Sequence, residues 1–377
     1  MDPLIYLAVV YTALRLPLSR GYPLDLAYVA AAAALLSLWW GMPHMAPLAA
    51  PYAIAVYVLR GGKLAPYSGL ASAISYTGLG VMALHAGESH LVALGFLMAA
   101  LAPAVLLPAL GDEGSLQGLF RYLIISTLAT TMLISGLALR EAWPGAGDLL
   151  ILLAIATELG AAPMFQWVVD VYGRSSAAGL ALLASLPKLA SAYVLFALRP
   201  GLAGVASAFD IGAVATALGA LSMLVGNLGA LTSRDLRRIL AYSTVAHSGF
   251  ALFIYPLSPQ LALAMVLADA VGKMALFHFA ERGGARWGTL LMVMNQIGIP
   301  PALGFWPKMY IVLTAASAWG PAAGAYVLAN IILSVPYYLR VLQMTPPGAT
   351  RFSYLAAALV LAFGLVPPLW IPYILSL

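Results

Sequence analysis

Apolar runs of membrane-crossing length follow one another along this chain almost without pause, and that succession limits the fold more than any motif does. A helix needs about 20 apolar residues to cross the hydrocarbon core. Such runs are read at 3–18, 24–42, 45–60, 66–86, 90–110, 118–140, 148–168, 176–198, 204–231, 238–256, 259–281, 287–318, 322–344 and 352–376. The third is short, and the twelfth is long enough to be broken. In lipid every backbone N–H and C=O needs a partner within the protein, so runs of this kind fold as helices. The expectation is an all-α membrane protein of about 14 transmembrane helices, a single transmembrane domain over 1–377 with no soluble domain or low-complexity linker. The first run resembles a signal peptide in length, but Asp2, the lack of a basic n-region and the lack of a clear small-residue cleavage motif read as a retained first span.

Composition narrows the chemistry. Only 8% of residues are charged, against roughly 25% in soluble domains. Without cysteine there is no thiolate set for a metal or an Fe–S cluster. The five histidines (His44, His85, His90, His247 and His278) are scattered, with no HExxH spacing. No catalytic residue, no metal site and no cofactor bound by this chain are therefore expected. The net charge of +5 could suggest nucleic acid, but the cations stand singly between apolar runs. Loop placement accounts for them. With the N-terminus outside, the cytoplasmic loops collect thirteen (Arg15, Arg20, Arg60, Lys63, Arg121, Arg174, Arg234, Arg237, Arg238, Arg282, Arg286, Arg340, Arg351) and the outer loops two, Arg140 and Arg199. That asymmetry obeys the positive-inside rule and puts both termini outside.

Two runs are interrupted alike. Glu158-Leu-Gly160-Ala-Ala-Pro163 and Gln296-Ile-Gly298-Ile-Pro300-Pro301 share Leu/Ile-Gly-x-x-Pro in mid-span. Glycine eases departure from helical geometry and proline removes a donor. Either pair makes an ordinary kink, but matched interruptions in the two halves of a transporter mark discontinuous helices around a polar site. An ionisable residue lies near each: Glu158 and Lys308.

Further charges fall where lipid should be. An ionised side chain at the bilayer centre costs roughly 2.5–3.5 kcal/mol on insertion scales. Glu158, Lys188, Asp269, Lys273 and Lys308 must therefore face protein or water, paired or neutral part of the time. Lys188 and Lys308 are too deep in their spans to snorkel. Asp269 and Lys273 are four apart with the acid first, so they share a face and can neutralise each other; a structural ion pair is the rival reading there. His247 is either a relay or a hydrogen-bonded core histidine. Several spans bringing titratable groups to mid-depth suggest a proton path.

Three stretches then carry a family resemblance. Pro163-Met-Phe-Gln-Trp167-Val-Val-Asp170-Val-Tyr172 resembles Pro-Phe-His-x-Trp-x-Pro-Asp-Val-Tyr. Ser233-Arg-Asp-Leu-Arg-Arg-Ile-Leu-Ala-Tyr-Ser-Thr-Val-Ala-His247-Ser-Gly-Phe250 resembles Asp-Leu-Lys-Arg-Leu-Leu-Ala-Tyr-Ser-Ser-Ile-Ser-His-x-Gly-Tyr. Gly298-Ile-Pro-Pro-Ala-Leu-Gly-Phe-Trp-Pro-Lys308 resembles Gly-Ile-Pro-x-x-x-Gly-Phe-x-x-Lys. Together they resemble the antiporter-like membrane subunits of respiratory complex I (NADH-quinone oxidoreductase), over about 90–345. The Asp-Val-Tyr ending favours subunit N over its L and M relatives.

The resemblance implies two inverted five-helix repeats, each with one broken helix, and a central chain of lysines, glutamates, histidines and water. Lys188, His247, Lys273 and Lys308 fall on family positions of that chain. It also implies a multi-pass protein of a prokaryotic plasma membrane, partnered by other membrane subunits including homologous ones. Quinone, flavin and Fe–S centres would belong to partner subunits. Two departures stand out. Glu158 replaces the family's lysine on the first broken helix, and the acid of the fifth span, aligned near Phe96 or Leu97, is missing. A rebuilt Glu158–Lys188 pair is one expectation; a first half that no longer pumps is the other. Alternatives are a homologous subunit of a membrane-bound hydrogenase or of a multi-subunit cation/proton antiporter. In another class stand a solute transporter working alone and a lipid-handling transferase, for which the loops are too short.

Overall fold

The computed structural model describes residues 48, 51–52, 65–85, 87–106, 112–202, 210–348 and 351–366. The spans at 3–18 and 24–42, most of that at 45–60, and both termini lie outside the described residues.

Within them the chain is helical, apart from one isolated bridge between Gly284 and Pro347. The first half holds α1 (Ala65–Leu84), α2 (Ser89–Leu101), a 3₁₀ turn (Ala102–Leu106), α3 (Glu113–Leu139), α4 (Pro144–Leu159), α5 (Gln166–Arg174), α6 (Ala177–Leu183) and α7 (Leu186–Leu198). Then come α8 (Ile211–Thr232), α9 (Leu236–Ile254), α10 (Pro259–Arg282), α11 (Arg286–Ile297), α12 (Phe305–Trp319), α13 (Pro321–Met344) and α14 (Arg351–Leu365). Helix starts follow ordinary capping chemistry: Asp112, Asp210, Asp235 and Ser258 each accept a backbone N–H of the first turn.

Four described helices and the α6–α7 run (Gly179–Leu198) are long and apolar enough to cross a membrane, which makes this a multi-pass membrane protein. Their burial sorts them by position. On α3, Phe120, Ile124 and Leu128 are exposed, while Tyr122, Ser126 and Thr130 are buried. On α8 Leu221, Leu224 and Leu228 are exposed, and Ser222 and Asn227 are buried. Apolar outside and small or hydroxylated inside is how helices pack in lipid. In contrast, the apolar window of α10 is 100% buried. α10 packs against α6, α7, α9, α11, α12 and α14. The helix that carries Asp269 and Lys273 is thus the axis of the second half. α9 lies close against α8, where a Cβ on Gly226 would fall 2.4 Å from the Ala246 nitrogen. Only glycine allows that approach, and it fixes the neighbouring His247.

Several boundaries differ from those read in the sequence. The run at 148–168 begins at Pro144, stops at Leu159, and resumes as α5 as far as Arg174. The run at 176–198 is interrupted at Ala184–Ser185, because Pro187 has no N–H to return to the preceding turn. The run at 90–110 tightens to 3₁₀ geometry from Ala102, next to Pro103. The run at 287–318 divides into α11 and α12.

Candidate functional site: buried charges at two broken helices

The two interruptions are built alike. α4 ends on Gly160 at φ 70° and α11 on Gly298 at φ 90°, both left-handed. The next N–H reaches back five residues in each, Ala161 to the Ala156 carbonyl and Ile299 to that of Met294. This is the Schellman cap, which satisfies some terminal carbonyls and leaves others. A cis X–Pro bond follows in both, at Ala162–Pro163 and Pro300–Pro301.

A lysine serves the carbonyls left over. Lys188, in the first turn of α7, donates to the Leu159 carbonyl at 3.1 Å. Lys308, in the first turn of α12, donates to the carbonyls of Gln296 and Ile297. Leu159 and Ile297 are the same position, the residue before the capping glycine. Each ammonium therefore meets the negative end of a half-helix. Both lysines are 2% exposed, too deep for any route to water by snorkelling.

In the second half the charged groups touch in sequence. Lys273 Nζ lies 3.6 Å from Asp269 Oδ1, and the same oxygen lies 3.2 Å from His247 Nδ1. Lys273 also donates to Ser243 Oγ and, at 3.0 Å, to the Tyr338 hydroxyl. His247 Nδ1 is 2.7 Å from the Ser243 carbonyl and Nε2 is 3.1 Å from that of Gln296. Gln296 is the residue whose carbonyl Lys308 also reaches, so the contacts run from Lys273 to Lys308. Acceptors face both ring nitrogens. A neutral imidazole donates to one of them, and a second proton lets it donate to both.

The first half is arranged otherwise. Ser248, beside His247 on α9, donates to the Leu159 carbonyl at 2.7 Å and lies 3.5 Å from Lys188 Nζ, which links the two halves. Glu158 is 1% exposed and turns away from this contact. Its Oε1 accepts from the Tyr122 hydroxyl at 2.7 Å, with Ser126 Oγ at 3.5 Å, and its Oε2 has no hydrogen-bond partner. Glu158 and Lys188 are not among the ion pairs of the described residues, which corrects the expected rebuilt pair. At the end of α4 the Glu158 carboxyl meets Tyr122 and Ser126 of α3, while the Leu159 carbonyl meets Lys188 of α7.

This geometry yields a prediction. In a double-mutant cycle on stability, Glu158→Gln and Lys188→Met should show a coupling well below the roughly 3–5 kcal/mol of a buried ion pair in contact, because neither side chain is a hydrogen-bond or ion-pair partner of the other. A coupling of that full size would show that the pair is made after all.

Six hydroxyl or amide residues of this network carry no sequence signal of cost: Tyr122, Ser126, Ser243, Ser248, Gln296 and Tyr338. Neutral polar groups are common in membrane helices. Only Ser243, one turn before His247, and Tyr122, one turn before Ser126, share a face that spacing could have exposed.

Residues 93–334 match the family described as NADH:quinone oxidoreductase/Mrp antiporter, transmembrane. A NADH-quinone oxidoreductase subunit N from Neisseria gonorrhoeae is 26% identical over 321 residues, covering 72% of this chain and 66% of its own length. The chain spans 64–66% of the length of the first curated relatives it matches. In fold it is similar to a chain of respiratory complex I from Thermus thermophilus with bound aureothin, at TM-score 0.78, 21% identity and 98% coverage of both chains. It is also similar to a chain of the Mrp complex from Dietzia sp. DQ12-45-1b, at TM-score 0.80 and 17% identity, covering 98% of this chain and 93% of that one. With nearly two thirds of its length matched, the chain belongs to the NADH:quinone oxidoreductase/Mrp antiporter transmembrane family.

Proposed function

We propose that this chain is a proton-translocating membrane subunit of a complex I-like oxidoreductase, taking electrons from NADH or another donor to quinone. Protons move through Glu158, Lys188, His247, Asp269, Lys273 and Lys308, with hydroxyls and water between them. The observation that carries this reading is the pair of lysines resting on the terminal carbonyls of two like-built half-helices. Such ends hold an ammonium without a fixed counter-ion, so the proton can leave without stranding a carboxylate. The likeness of the two breaks also supports two inverted five-helix repeats over about 90–345 within some 14 spans. Both termini face outward in a prokaryotic plasma membrane, following the arginine bias of the loops. Flavin, Fe–S centres and quinone belong to partner subunits, and homologous antiporter-like subunits are among the neighbours.

The fold likeness to the Mrp chain favours one second reading, a subunit of a multi-subunit cation/proton antiporter. Isolation with native partners separates the two: redox subunits support the first, small antiporter subunits the second. Under either reading the chain alone, in liposomes under a proton or sodium gradient, is expected to show no flux above empty vesicles. Gradient-driven flux by the lone chain would instead identify a transporter that works by itself.

A further inference from the structure

The Tyr122 hydroxyl has one proton and two acceptors, the Glu158 carboxyl at 2.7 Å and the Ala100 carbonyl at 2.9 Å. The Ala102 N–H still reaches back four residues to Met98, and in the 3₁₀ geometry that follows an N–H serves the carbonyl three residues back. For Ala100 that donor would be residue 103, a proline with no N–H. The preceding carbonyl, Ala99, likewise takes a side chain, Ser75 Oγ at 2.7 Å. The end of α2 is thus tied by hydroxyls, and one of these hydroxyls is shared with a buried carboxyl.

We infer that Tyr122 is a positioning residue that couples the proton on Glu158 to the end of α2. With Glu158 protonated, the carboxyl donates to the Tyr122 oxygen and Tyr122 donates to the Ala100 carbonyl, so the carbonyl keeps this donor. When that proton passes to water in the proton path, the Tyr122 O–H turns to the carboxylate and the Ala100 carbonyl loses the Tyr122 hydrogen bond. Only the O–H of Glu158 is broken; tyrosine keeps its own proton throughout. The end of α2 is therefore held when Glu158 is neutral and released when it is charged. The other titratable groups facing Glu158 are Tyr172 from α5 and Lys188 from α7. Neither stands among the hydrogen-bond partners of Glu158, whose second oxygen has none. The inference rests on the proton-conducting reading for its purpose, but not for its test.

Infrared difference spectra on a pH step, taken on the intact complex with ring-labelled tyrosine, read the switch directly. The Glu158 carboxyl band is identified by its loss in Glu158→Gln. One tyrosine C–O band should move with it in the unmutated protein and stay fixed in Glu158→Gln. In Tyr122→Phe the carboxyl band should shift to the frequency of a less hydrogen-bonded acid. If Tyr122→Phe does not assemble, the tyrosine band in the first two proteins decides alone. No tyrosine band moving with the carboxyl, or bands that follow sodium concentration rather than pH, overturns the inference. A coupled band in a complex that pumps no protons would retain the switch and discard the pumping reading.

Discussion

Replacing Lys188 or Lys308 by alanine is expected to stop proton flux through the corresponding half of the subunit while the complex still assembles. A positioned proton-transfer group contributes about 10²–10⁴-fold to the rate of its step, so flux limited by either station should fall by roughly 10²-fold or more. The two variants should differ in stability. Without Lys188 the Leu159 carbonyl keeps Ser248, whose hydroxyl donates at 2.7 Å. Without Lys308 the Gln296 carbonyl keeps His247, but among the described residues no other bond reaches the Ile297 carbonyl. A buried carbonyl left unpaired costs about 1–3 kcal/mol, so Lys308→Ala should be the less stable of the two. Protons moved per electron in reconstituted vesicles, with assembly followed in parallel, provide the measurement. Unmutated stoichiometry in both variants would remove these lysines from the path.

The largest stability effect is expected at Asp269. Its carboxylate is 4% exposed and lies between His247 at 3.2 Å and Lys273 at 3.6 Å, the latter fully buried. Removing one member of a buried pair costs roughly 3–5 kcal/mol, because the other charge remains without compensation. Asp269→Asn should therefore destabilise the protein by that amount. Adding Lys273→Met should recover most of it, since replacing both partners is often nearly neutral. Thermal unfolding of the purified protein across the four members of the cycle gives the coupling directly. If the double variant is as unstable as the sum of the single ones, Asp269 and Lys273 are not one charge pair. The contrast with Glu158 and Lys188, where a weaker coupling is expected, tests whether the two halves are built differently.

The chain by itself determined that it lives in lipid, that its apolar runs are helical where they are described, and which positions bear charge at a cost, but not where several of those runs break or end. The bilayer imposes those answers residue by residue: an apolar run of span length and an ionisable side chain in its middle are legible without any partner. The paired Gly–Pro interruptions were legible for the same reason, since φ > 0 and a missing N–H are local properties of Gly160, Pro163, Gly298 and Pro301. Tertiary structure alone decided what those charges touch. The i,i+4 spacing placed Asp269 beside Lys273, but bringing His247 to the same oxygen required α9 and α10 to pack. A linear reading pairs Glu158 with Lys188, yet packing gives Glu158 to the Tyr122 hydroxyl of α3 and Lys188 to the Leu159 carbonyl. The hydroxyls that complete the network carried no mark in the sequence, because a serine or tyrosine in a membrane helix is inexpensive wherever it points. Its direction is set by which helix lies against it, and that is a property of the assembled bundle.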